Sequence, residues 1–498
     1  MDLIGNLYYG FSVALQPGNL LYCFIGVFIG TLIGVLPGIG PVGAMSLLLP
    51  TTLHTTPVGA IIMLAGIYYG AMYGGSTTSI LLKIPGEAAS VVTCMEGYQM
   101  ALRGRAGPAL GISAFGSFIG GTISIVGLAL VAPPLAEGAL KFGPPEYFSL
   151  MVLGLTLLNY LTSGSIPKAL MMGVLGIVLG LVGIDPMSGA QRFTFGILDL
   201  NDGIGLVPLV MGLFGISEVL LTVEQTIKQQ IVQTKIKGLL PNLADWKACA
   251  GPITRGSVIG FFLGILPGGG AVISSFLSYA IEKKLSRHPE DFGKGVIEGV
   301  AGPETANNAA TGGAFIPLLT LGIPANVVMA MLLGALLIHG MQPGPMMLKE
   351  HPDLFWGVVT SMYVGNGMLL LLNLPLIGLW VQVLKIPYRI LFPLILLFCL
   401  IGAYSLNYST VDVLFMIGFG VLGYFMKKFD YEGAPLVLAY VLGPMLEMSL
   451  RQSLTISDGS FTVFFTRPIA AVGIVAAILL VVSPLLPWIG KRRPALGQ

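Results

Sequence analysis

A seventeen-residue stretch that occurs twice is the strongest constraint on how this chain can fold. The first copy begins at Gly26 and reads GVFIGTLIGVLPGIGPV, and the second begins at Gly256 and reads GSVIGFFLGILPGGGAV. The copies align without a gap at an offset of 230 residues (256 − 26), and nine of the seventeen positions are identical. This period is too long for a solenoid, so the stretch indicates an internal duplication of a large unit.

Each copy combines a signal for close helix packing with a signal for a helix break. Glycine at every fourth position makes one helix face smooth enough for another backbone to approach closely. The Leu-Pro-Gly that follows removes a backbone donor and permits unusual φ values, so the helix breaks within an apolar run. In hydrocarbon, a broken helix is tolerated only where it is buried in protein or lines a cavity. The duplicated stretch therefore predicts two interrupted helices inside a membrane protein.

Composition supports the same class of protein. The 498 residues are 55% hydrophobic and 10% charged, against a usual charged share of about 25%, and the mean hydropathy is +0.87. At about 20 apolar residues per crossing, the chain is predicted to be an all-α polytopic membrane protein of about 12 spans. We expect the spans near residues 19–50, 57–82, 106–133, 147–183 (two spans), 204–223, 253–281, 314–341, 356–381, 387–405, 410–426, 434–449 and 468–489.

The charge pattern suggests an orientation and excludes one class of partner. The first 82 residues contain no Lys or Arg, whereas segment 228–247 and the terminal Lys491-Arg492-Arg493 are basic. The positive-inside rule then places the linker and C-terminus in the cytoplasm and the N-terminus outside. The net charge of +2, without a basic patch interleaved with aromatics, gives no indication of nucleic-acid binding. Four scattered cysteines give neither metal-site spacing nor a disulfide framework.

These observations divide the chain into four parts. Residues 1–223 form the first transmembrane repeat, 224–250 a cytoplasmic linker and 251–450 the second repeat, while 451–498 contain a polar loop, an additional span and a basic tail. If each repeat has an odd number of spans, the two repeats are inverted relative to each other, as in many secondary transporters.

A second interruption follows the first in each half. Residues 74–79 (Gly-Gly-Ser-Thr-Thr-Ser) precede Ile84-Pro85-Gly86, and residues 312–315 precede Gly322-Ile323-Pro324 at matching positions, allowing for one inserted residue. A pair of interrupted apolar segments in corresponding places is the best sequence indication of a transport site near the midplane.

The second half alone has a dense polar run between Glu298 and Thr311. Its acids, amides and hydroxyls offer hard oxygen ligands for a cation and hydrogen-bonding groups for a polar solute. A helix-capping segment at the membrane interface is the alternative, because Thr305 and Asn307 would each cap well and Glu304 would suit a helix start. Among other charged residues, Glu87 and Glu96 are expected in a solvated loop, and Arg451 and Arg467 in a polar loop as interface anchors.

Three of these features together resemble a known family. The glycine-rich Leu-Pro-Gly signature in both halves, Tyr73-Gly74-Gly75-Ser76, and the run Pro-Glu-Thr-Ala-Asn-Asn-Ala at 303–309 resemble the large membrane subunit of the tripartite tricarboxylate transporters, over nearly the whole chain. The resemblance implies a bacterial inner-membrane protein that works with a periplasmic solute-binding protein and a small subunit of about four membrane spans. It also implies a carboxylate substrate and transport driven by a sodium or proton gradient, without ATP.

The resemblance leads to a hypothesis for the sites. Helix N-termini exposed at the breaks offer partial positive charge and free backbone donors to a carboxylate. The predicted substrate-binding residues are Pro37, Gly38, Gly40, Ser76, Thr77, Thr78, Pro267, Gly268, Gly269 and Gly270. The predicted residues for the coupling cation, sodium or proton, are Glu304, Asn307, Asn308 and Thr311. We predict no catalytic residue, no tightly bound metal and no other cofactor.

The sequence argues against three other functions. An intramembrane enzyme is disfavoured because the chain lacks paired histidines with metal spacing, a Gly-x-Ser-x-Gly nucleophile and a phosphate-binding glycine loop. An anion-conducting channel also tolerates re-entrant segments, but an internal duplication is more typical of a carrier that contains both of its moving halves. A scaffold without transport activity does not explain two Pro-Gly breaks at matching positions. The sequence does not specify which carboxylate is carried.

Overall fold

The computed structural model describes residues 2–36, 40–161, 165–224, 238–268, 270–386 and 388–482. Within this part the chain is almost entirely helical, and the only strands form one two-stranded antiparallel hairpin, β1 (Gly183–Ile184) and β2 (Gln191–Arg192). The predicted all-α polytopic fold is confirmed.

The first repeat begins with a short helix and a broken hairpin, followed by one long central helix. Its helices are α1 (Leu3–Ala14), α2 (Pro17–Val35), α3 (Gly40–Leu48), α4 (Pro57–Leu82), α5 (Val91–Leu102), α6 (Ala106–Ala139), α7 (Pro144–Leu161) and α8 (Ile166–Gly180). After β1 and β2, one helical rod consists of α9 (Leu206–Val210), a π-helical segment (Met211–Ile216) and α10 (Ser217–Glu224).

The second repeat follows the same plan. Its helices are α11 (Leu243–Ile265), α12 (Gly270–Leu285), α13 (Glu298–Leu321), α14 (Val327–Ile338), α15 (Met347–Glu350), α16 (Pro352–Asn373), α17 (Ile377–Val383), α18 (Tyr388–Asn407), α19 (Thr410–Lys428) and α20 (Gly433–Ile456). Two more helices complete the described chain, α21 (Val463–Thr466) and α22 (Pro468–Val482).

In each repeat the glycine-lined arm of the broken hairpin packs in parallel along the central helix. Along α2 and α4, Gly30 packs against Ile67, where a methyl group on the glycine would lie 2.6 Å from a backbone carbonyl oxygen. Along α11 and α13, Gly256 packs against Gly302 with a corresponding distance of 2.5 Å. Any side chain at these positions would overlap the neighbouring backbone, so the repeated glycines permit the close packing that the sequence predicts.

The two central helices, α4 and α13, run antiparallel to each other and are buried along almost their whole length. Ser76 contacts Glu304, whereas Tyr68, two turns earlier on α4, lies beside Phe315, further along α13. Because each hairpin arm is parallel to its own central helix, α2 and α11 point in opposite directions. The contacts within the described chain therefore give the inverted arrangement that the sequence predicts.

Eight described helices are long and apolar enough to cross a membrane, and four shorter apolar helices accompany them. The expectation of two helices within residues 147–183 is confirmed by α7 and α8. The predicted span at 314–341 is wrong. Helix α13 begins at Glu298 and ends at Leu321, where Gly322 adopts a left-handed φ of 71°, and α14 starts only at Val327. The polar run lowers the mean hydropathy of the first half of α13, and for this reason the prediction placed the start of the span too late in the chain.

Charged residues near the helix ends form ion pairs that join distant parts of the chain. Asp185, on the β1–β2 hairpin, pairs with Arg192 and Arg451 at 2.9 and 2.8 Å. Arg467 pairs with Glu146 at the start of α7 at 2.6 Å. The expectation of a polar loop around Arg451 is wrong, because α20 continues to Ile456 and Arg451 lies within it.

Candidate functional site

The polar run of the second half lies inside a buried helix. Helix α13 passes through Pro303 without ending, and every residue from Gly299 to Thr320 is buried. The Thr305 hydroxyl donates to the carbonyl oxygen of Ala301, one turn earlier, at 2.7 Å. The capping alternative is therefore wrong. The run brings amides, hydroxyls and an acid into the interior of a membrane protein, where such groups are costly and usually functional.

Hydroxyl groups of the first repeat surround the Glu304 carboxylate. Ser76 on α4 donates to Glu304 Oε2 at 2.6 Å, and Thr93 on α5 donates a short hydrogen bond to Oε1. The Glu304 side chain is 1% exposed. Among the described residues, no Lys or Arg forms a salt bridge with it. Glu304 is thus a buried carboxylate held by neutral donors, an environment suited to a proton or a cation.

A second buried carboxylate, Glu87, faces the same helix. It follows the break after α4 and caps a 3₁₀ turn (Ala88–Ser90), with Oε2 accepting from the Ala89 amide at 2.5 Å. Its other oxygen accepts from Asn307 Nδ2 at 3.1 Å. The Asn307 Oδ1 atom is buried without a hydrogen-bond partner among the described residues. Glu87 therefore connects the second interruption of the first repeat to the polar run of the second.

The expectation that Glu87 and Glu96 lie in a solvated loop is wrong. Glu96 on α5 is fully buried and accepts from the Gly295 and Val296 amides at 2.7 and 2.9 Å, from the Gly293 amide, and from the Tyr279 hydroxyl at 2.8 Å. These bonds hold the segment that leads into α13. Glu96 thus has an evident structural role, which distinguishes it from Glu87.

Asn308 and Thr311 make different contacts from Asn307. Asn308 Nδ2 donates to Ser117 Oγ at 2.7 Å and to the Glu304 carbonyl at 3.0 Å, and the Thr311 hydroxyl donates to the Asn308 carbonyl at 2.6 Å. Both residues line a small cavity between α4, α6, α13 and α16. The predicted cation residues therefore form neighbouring groups along one helix, with Glu304 and Asn308 linked through the Glu304 backbone.

The predicted substrate residues gather around the two breaks, and several already hold them in place. Thr78 donates to the Val35 carbonyl, at the end of α2, at 2.6 Å. The Gly268 amide, in the second break, donates to the Ala325 carbonyl at 2.8 Å. In the first repeat, the end of α2 is thus held by α4, the helix that leads into the second interruption. In the second repeat, the break is held by the second interruption itself, through Ala325. Of the predicted substrate residues, Pro37, Gly38 and Gly269 lie outside the described residues.

Each of the other predicted substrate residues has different neighbours. Gly40 starts α3 with a left-handed φ of 64°, and Gly270 starts α12 packed against Leu263 and Gly264. Pro267 faces Gly154 on α7. Ser76 reaches Glu304 rather than an open surface, and Thr77 is buried between its neighbours on α4. The first-turn amides of α3, apart from Pro41, which has no N–H, and those of α12 have no acceptor within their own helices, so they are candidate donors for an anion.

The ends of the two hairpin arms pack on the central helices at corresponding positions. Gly34 packs on Ala71 of α4, and Gly264 packs on Ala310 of α13. The 3₁₀ turn after Glu87 joins the two sides, because Ala89 belongs to one apolar cluster with Ala271, at the start of α12, and with Ala310. Helix starts, buried acids and amides thus converge at the centre of the inverted pair.

Several polar residues of this centre were not identified from the sequence. They are Glu87, Thr93, Ser117, Ser124 and Asn366. For Glu87 a signal existed, since an acid directly after an apolar, proline-interrupted segment is a candidate intramembrane group. Asn366 is an amide in the middle of a largely apolar helix, which is a similar though weaker signal. The single serines and threonines carry no comparable signal, because such residues commonly bond to their own helix backbone.

One family model matches most of the chain. The model of the tripartite tricarboxylate transporter TctA family matches residues 20–438. The chain is 52% identical over 493 residues to an uncharacterized 52.8 kDa protein in the TAR-I ttuC' 3' region of Agrobacterium vitis, covering 99% of this chain and 98% of the relative.

A second relative is similar to about half of this chain. An uncharacterized protein in the TAR-II ttuC' 3' region of the same organism is 54% identical over 234 residues, which are 47% of this chain and 97% of the relative. No solved structure matches the chain significantly. The family match spans both broken hairpins and both central helices, so the chain belongs to the TctA family of the tripartite tricarboxylate transporters.

Proposed function

We propose that this chain is the large transport subunit of a binding-protein-dependent secondary transporter that imports di- or tricarboxylates across the bacterial inner membrane. A solute-binding protein in the periplasm delivers the substrate, and a small membrane subunit completes the complex. The inverted pair of broken hairpins, packed at corresponding positions against α4 and α13, carries this proposal. Inverted repeats with interrupted helices at their interface are a recurrent design of carriers with alternating access.

The substrate carboxylates bind at the two breaks. Helix starts at Gly40 and Gly270 provide backbone donors and partial positive charge where the full charge of a Lys or Arg is lacking among the described contacts. Thr78 and the Ala325 carbonyl set the shape of the breaks. Ser76, in the described conformation, holds Glu304 and so connects the substrate region to the cation region.

The coupling cation, sodium or proton, binds along α13 at Glu304, Asn307, Asn308 and Thr311. A multiply charged anion is costly to move through the centre of a bilayer, and a co-transported cation offsets part of this charge. If the cation and the carboxylate each favour the same conformation, each increases the affinity for the other by the same factor. The geometry gives such coupling a route, because Ser76 and Glu304 share a hydrogen bond.

The test is uptake into proteoliposomes that contain this chain, its small subunit and its binding protein. Labelled citrate and succinate are offered with and without an inward sodium gradient, and again with a proton gradient. We expect saturable accumulation that requires both a gradient and the binding protein. Gradient-insensitive flux that does not saturate would contradict the proposal and indicate a channel instead.

A proline pair gives the matched control for the role of the breaks. Pro267 lies in the second break, whereas Pro252 lies within α11, fifteen residues earlier and also largely buried. Pro267→Leu should abolish uptake without reducing the amount of protein in the membrane, while Pro252→Ala should retain most of it. Equal uptake in the two variants would contradict the assignment of the break to substrate binding.

A further inference from the structure

We propose that the small cavity between α4, α6, α13 and α16 is a binding site for one desolvated monovalent cation, Na⁺ in preference to K⁺. Six of the residues that line it have oxygen-bearing side chains: Tyr69, Tyr73, Ser124, Asn308, Thr311 and Asn366. This inference rests on the proposed function, since it gives the coupling cation a location and a chemical identity. Four of these residues, Tyr69, Tyr73, Ser124 and Asn366, come from outside the polar run.

The donors around the cavity are already occupied elsewhere. Tyr73 donates a short hydrogen bond to Asn366 Oδ1, and Ser124 donates to the Gly121 carbonyl at 2.8 Å. Thr311 donates to the Asn308 carbonyl at 2.6 Å. A hydroxyl has one hydrogen but two lone pairs. These three hydroxyls can therefore present only lone pairs to the cavity.

The amide hydrogens of the two asparagine side chains are also engaged elsewhere. Asn366 Nδ2 donates to the Phe118 carbonyl at 2.8 Å and to Thr122 Oγ1 at 3.0 Å. Asn308 Nδ2 donates to Ser117 and to the Glu304 carbonyl. Asn308 Oδ1 is left buried without a hydrogen-bond partner in the described part of the chain, on a side chain that is 1% exposed.

A lining of acceptors favours a cation over a water molecule. A buried water typically makes about three hydrogen bonds, which include accepting as well as donating. Here the occupied hydroxyls and amides could accept both water hydrogens but donate nothing in return. Tyr69 also lines the cavity with a hydroxyl that lacks a partner among the described residues, and this hydroxyl can rotate to present its lone pair. Lining side chains whose hydroxyl and amide hydrogens, apart from that of Tyr69, are engaged elsewhere match the ligand set of a hard cation.

Charge and size indicate which cation fits. None of the described residues that line the cavity carries a charge, whereas sites for divalent cations use carboxylates. The cavity has a volume of about 10 Å³, which is room for one water-sized occupant. Na⁺ without its hydration shell is smaller than a water molecule and fits, while K⁺ is about as large as water and leaves less room for the surrounding oxygens.

The position of the site is suited to coupling. Four helices contribute to it, two from the first repeat (α4, α6) and two from the second (α13, α16), each from the middle of its length. Asn308 bonds to the Glu304 backbone, one turn away, and Tyr73 directly precedes Gly74, which packs on the end of α2. A cation that draws these oxygens together would therefore stabilise the packing of the two repeats against each other.

The test measures sodium binding without requiring transport. The thermal unfolding temperature of the purified full chain is recorded against NaCl, KCl and choline chloride at constant ionic strength, together with equilibrium binding of ²²Na⁺. For the native protein we expect a saturable increase in unfolding temperature with NaCl alone, and one ²²Na⁺ bound per chain. Asn308→Ala and Thr311→Val should raise the sodium concentration for half-maximal stabilisation at least about tenfold.

Helix α16 provides a matched control pair. Asn366 lines the cavity, whereas Asn373, seven residues later on the same helix, is also buried and has an unpartnered Oδ1. Asn366→Ala should lose the sodium response, and Asn373→Ala should keep it even if its unfolding temperature in choline is lower. If one of the alanine variants does not fold, the isosteric Thr311→Val and the mild Ser124→Ala carry the test.

Three results would overturn the site: equal stabilisation by sodium and choline, a sodium response that survives in all cavity variants, or no bound ²²Na⁺. The transport proposal fails separately. Sodium binding to a protein that moves no carboxylate would retain this site and reject the carrier. Proton-driven carboxylate uptake without any sodium binding would reject the site and retain the carrier.

Discussion

Helices α4 and α13 occupy equivalent positions in the two repeats, but they carry different chemistry. Both are almost fully buried, both pack in parallel against the glycine face of a broken hairpin, and both are followed by a second interruption. Yet α13 supplies an acid and two amides, whereas α4 supplies mainly hydroxyls. The duplication thus provides the shape twice, while the ionic chemistry is concentrated on one copy.

The hydrogen bonds explain how the two copies depend on each other. Hydroxyls of the first repeat, Ser76 and Thr93, hold the Glu304 carboxylate of the second. In the other direction, Asn307 of the second repeat donates to Glu87 of the first. Each central helix therefore satisfies polar groups of its counterpart, and neither repeat would have a satisfied interior alone.

The largest effect is expected where the repeats are most alike. Gly34→Val and Gly264→Val each place a side chain into the backbone of the central helix, at Ala71 and Ala310 respectively. Overpacking of this kind costs about 1–3 kcal/mol or more, so both variants should sharply reduce the amount of folded protein, measured by fluorescence-detected size exclusion in detergent.

Gly418→Val is the control, because a Cβ at Gly418 would meet no atom within 4 Å. It should leave the size-exclusion profile unchanged. If only one of the two hairpin variants lost folded protein, the claim that both copies provide the same packing would be wrong.

The next effect distinguishes the two copies. Glu304→Gln keeps the volume and the hydroxyl contacts of the side chain but removes the negative charge that can attract a proton or cation. We expect uptake to fall by about 100-fold with little change in unfolding temperature. The matched change Ser76→Ala removes one donor from the first copy and should lower uptake by only about tenfold. A larger loss of uptake in Ser76→Ala than in Glu304→Gln would contradict the assignment of the main ionic group to α13.

Glu87 and Glu96 form a second pair, both buried acids near the first repeat's second interruption. Glu96 accepts four hydrogen bonds, so in Glu96→Gln the new amide group would face donors, at a cost of about 1–3 kcal/mol in folding free energy. In Glu87→Gln we expect near-native stability but uptake reduced by about tenfold. Thermal unfolding and uptake measured on both variants check the distinction, and a stable Glu96→Gln with low uptake would contradict it.

The smallest effect lies away from the central helices. Hydrogen bonds from Ser188 and Arg451 hold the pKa of Asp185 well below its usual value. A lowered folded-state pKa stabilises the protein at pH values above the unfolded-state pKa of about 3.9, and this stabilisation is lost as the pH falls. Asp185→Asn should therefore lower the unfolding temperature by a few degrees at pH 7 and by less near pH 4.

The same measurement on Asp199→Asn is the control, since within the described part of the chain the Asp199 carboxylate accepts a long hydrogen bond of 3.4 Å from Ser409. An Asp185→Asn effect that grew on acidification would have the wrong sign.

The sequence predicts the scaffold better than the polar centre, for physical reasons. Glycine spacing and Leu-Pro-Gly breaks are local signals that predict the two broken hairpins, and apolar runs of about 20 residues predict most of the spans. The predicted span at 314–341 is wrong because a buried polar helix such as α13 has low hydropathy over its first half. The burial of Glu87 depends on which helix covers it, and the cavity depends on four helices from both repeats. Such contacts between distant segments leave no periodic pattern in the chain.

The central claim is that Thr311, on α13 of the second copy, serves the cation, whereas Thr78, on α4 of the first copy, shapes one of the two substrate breaks. Its most direct test is the initial rate of citrate uptake against sodium and against citrate, in Thr311→Val on α13 and Thr78→Val on α4. We predict that Thr311→Val raises the half-saturating sodium concentration about tenfold and leaves that of citrate, at saturating sodium, within about twofold. Thr78→Val should instead raise the half-saturating citrate concentration about tenfold and leave that of sodium within about twofold. The reason is that Thr78 holds the end of α2, beside the first break, through Val35. Equal changes in both constants for both variants would contradict this division between the copies.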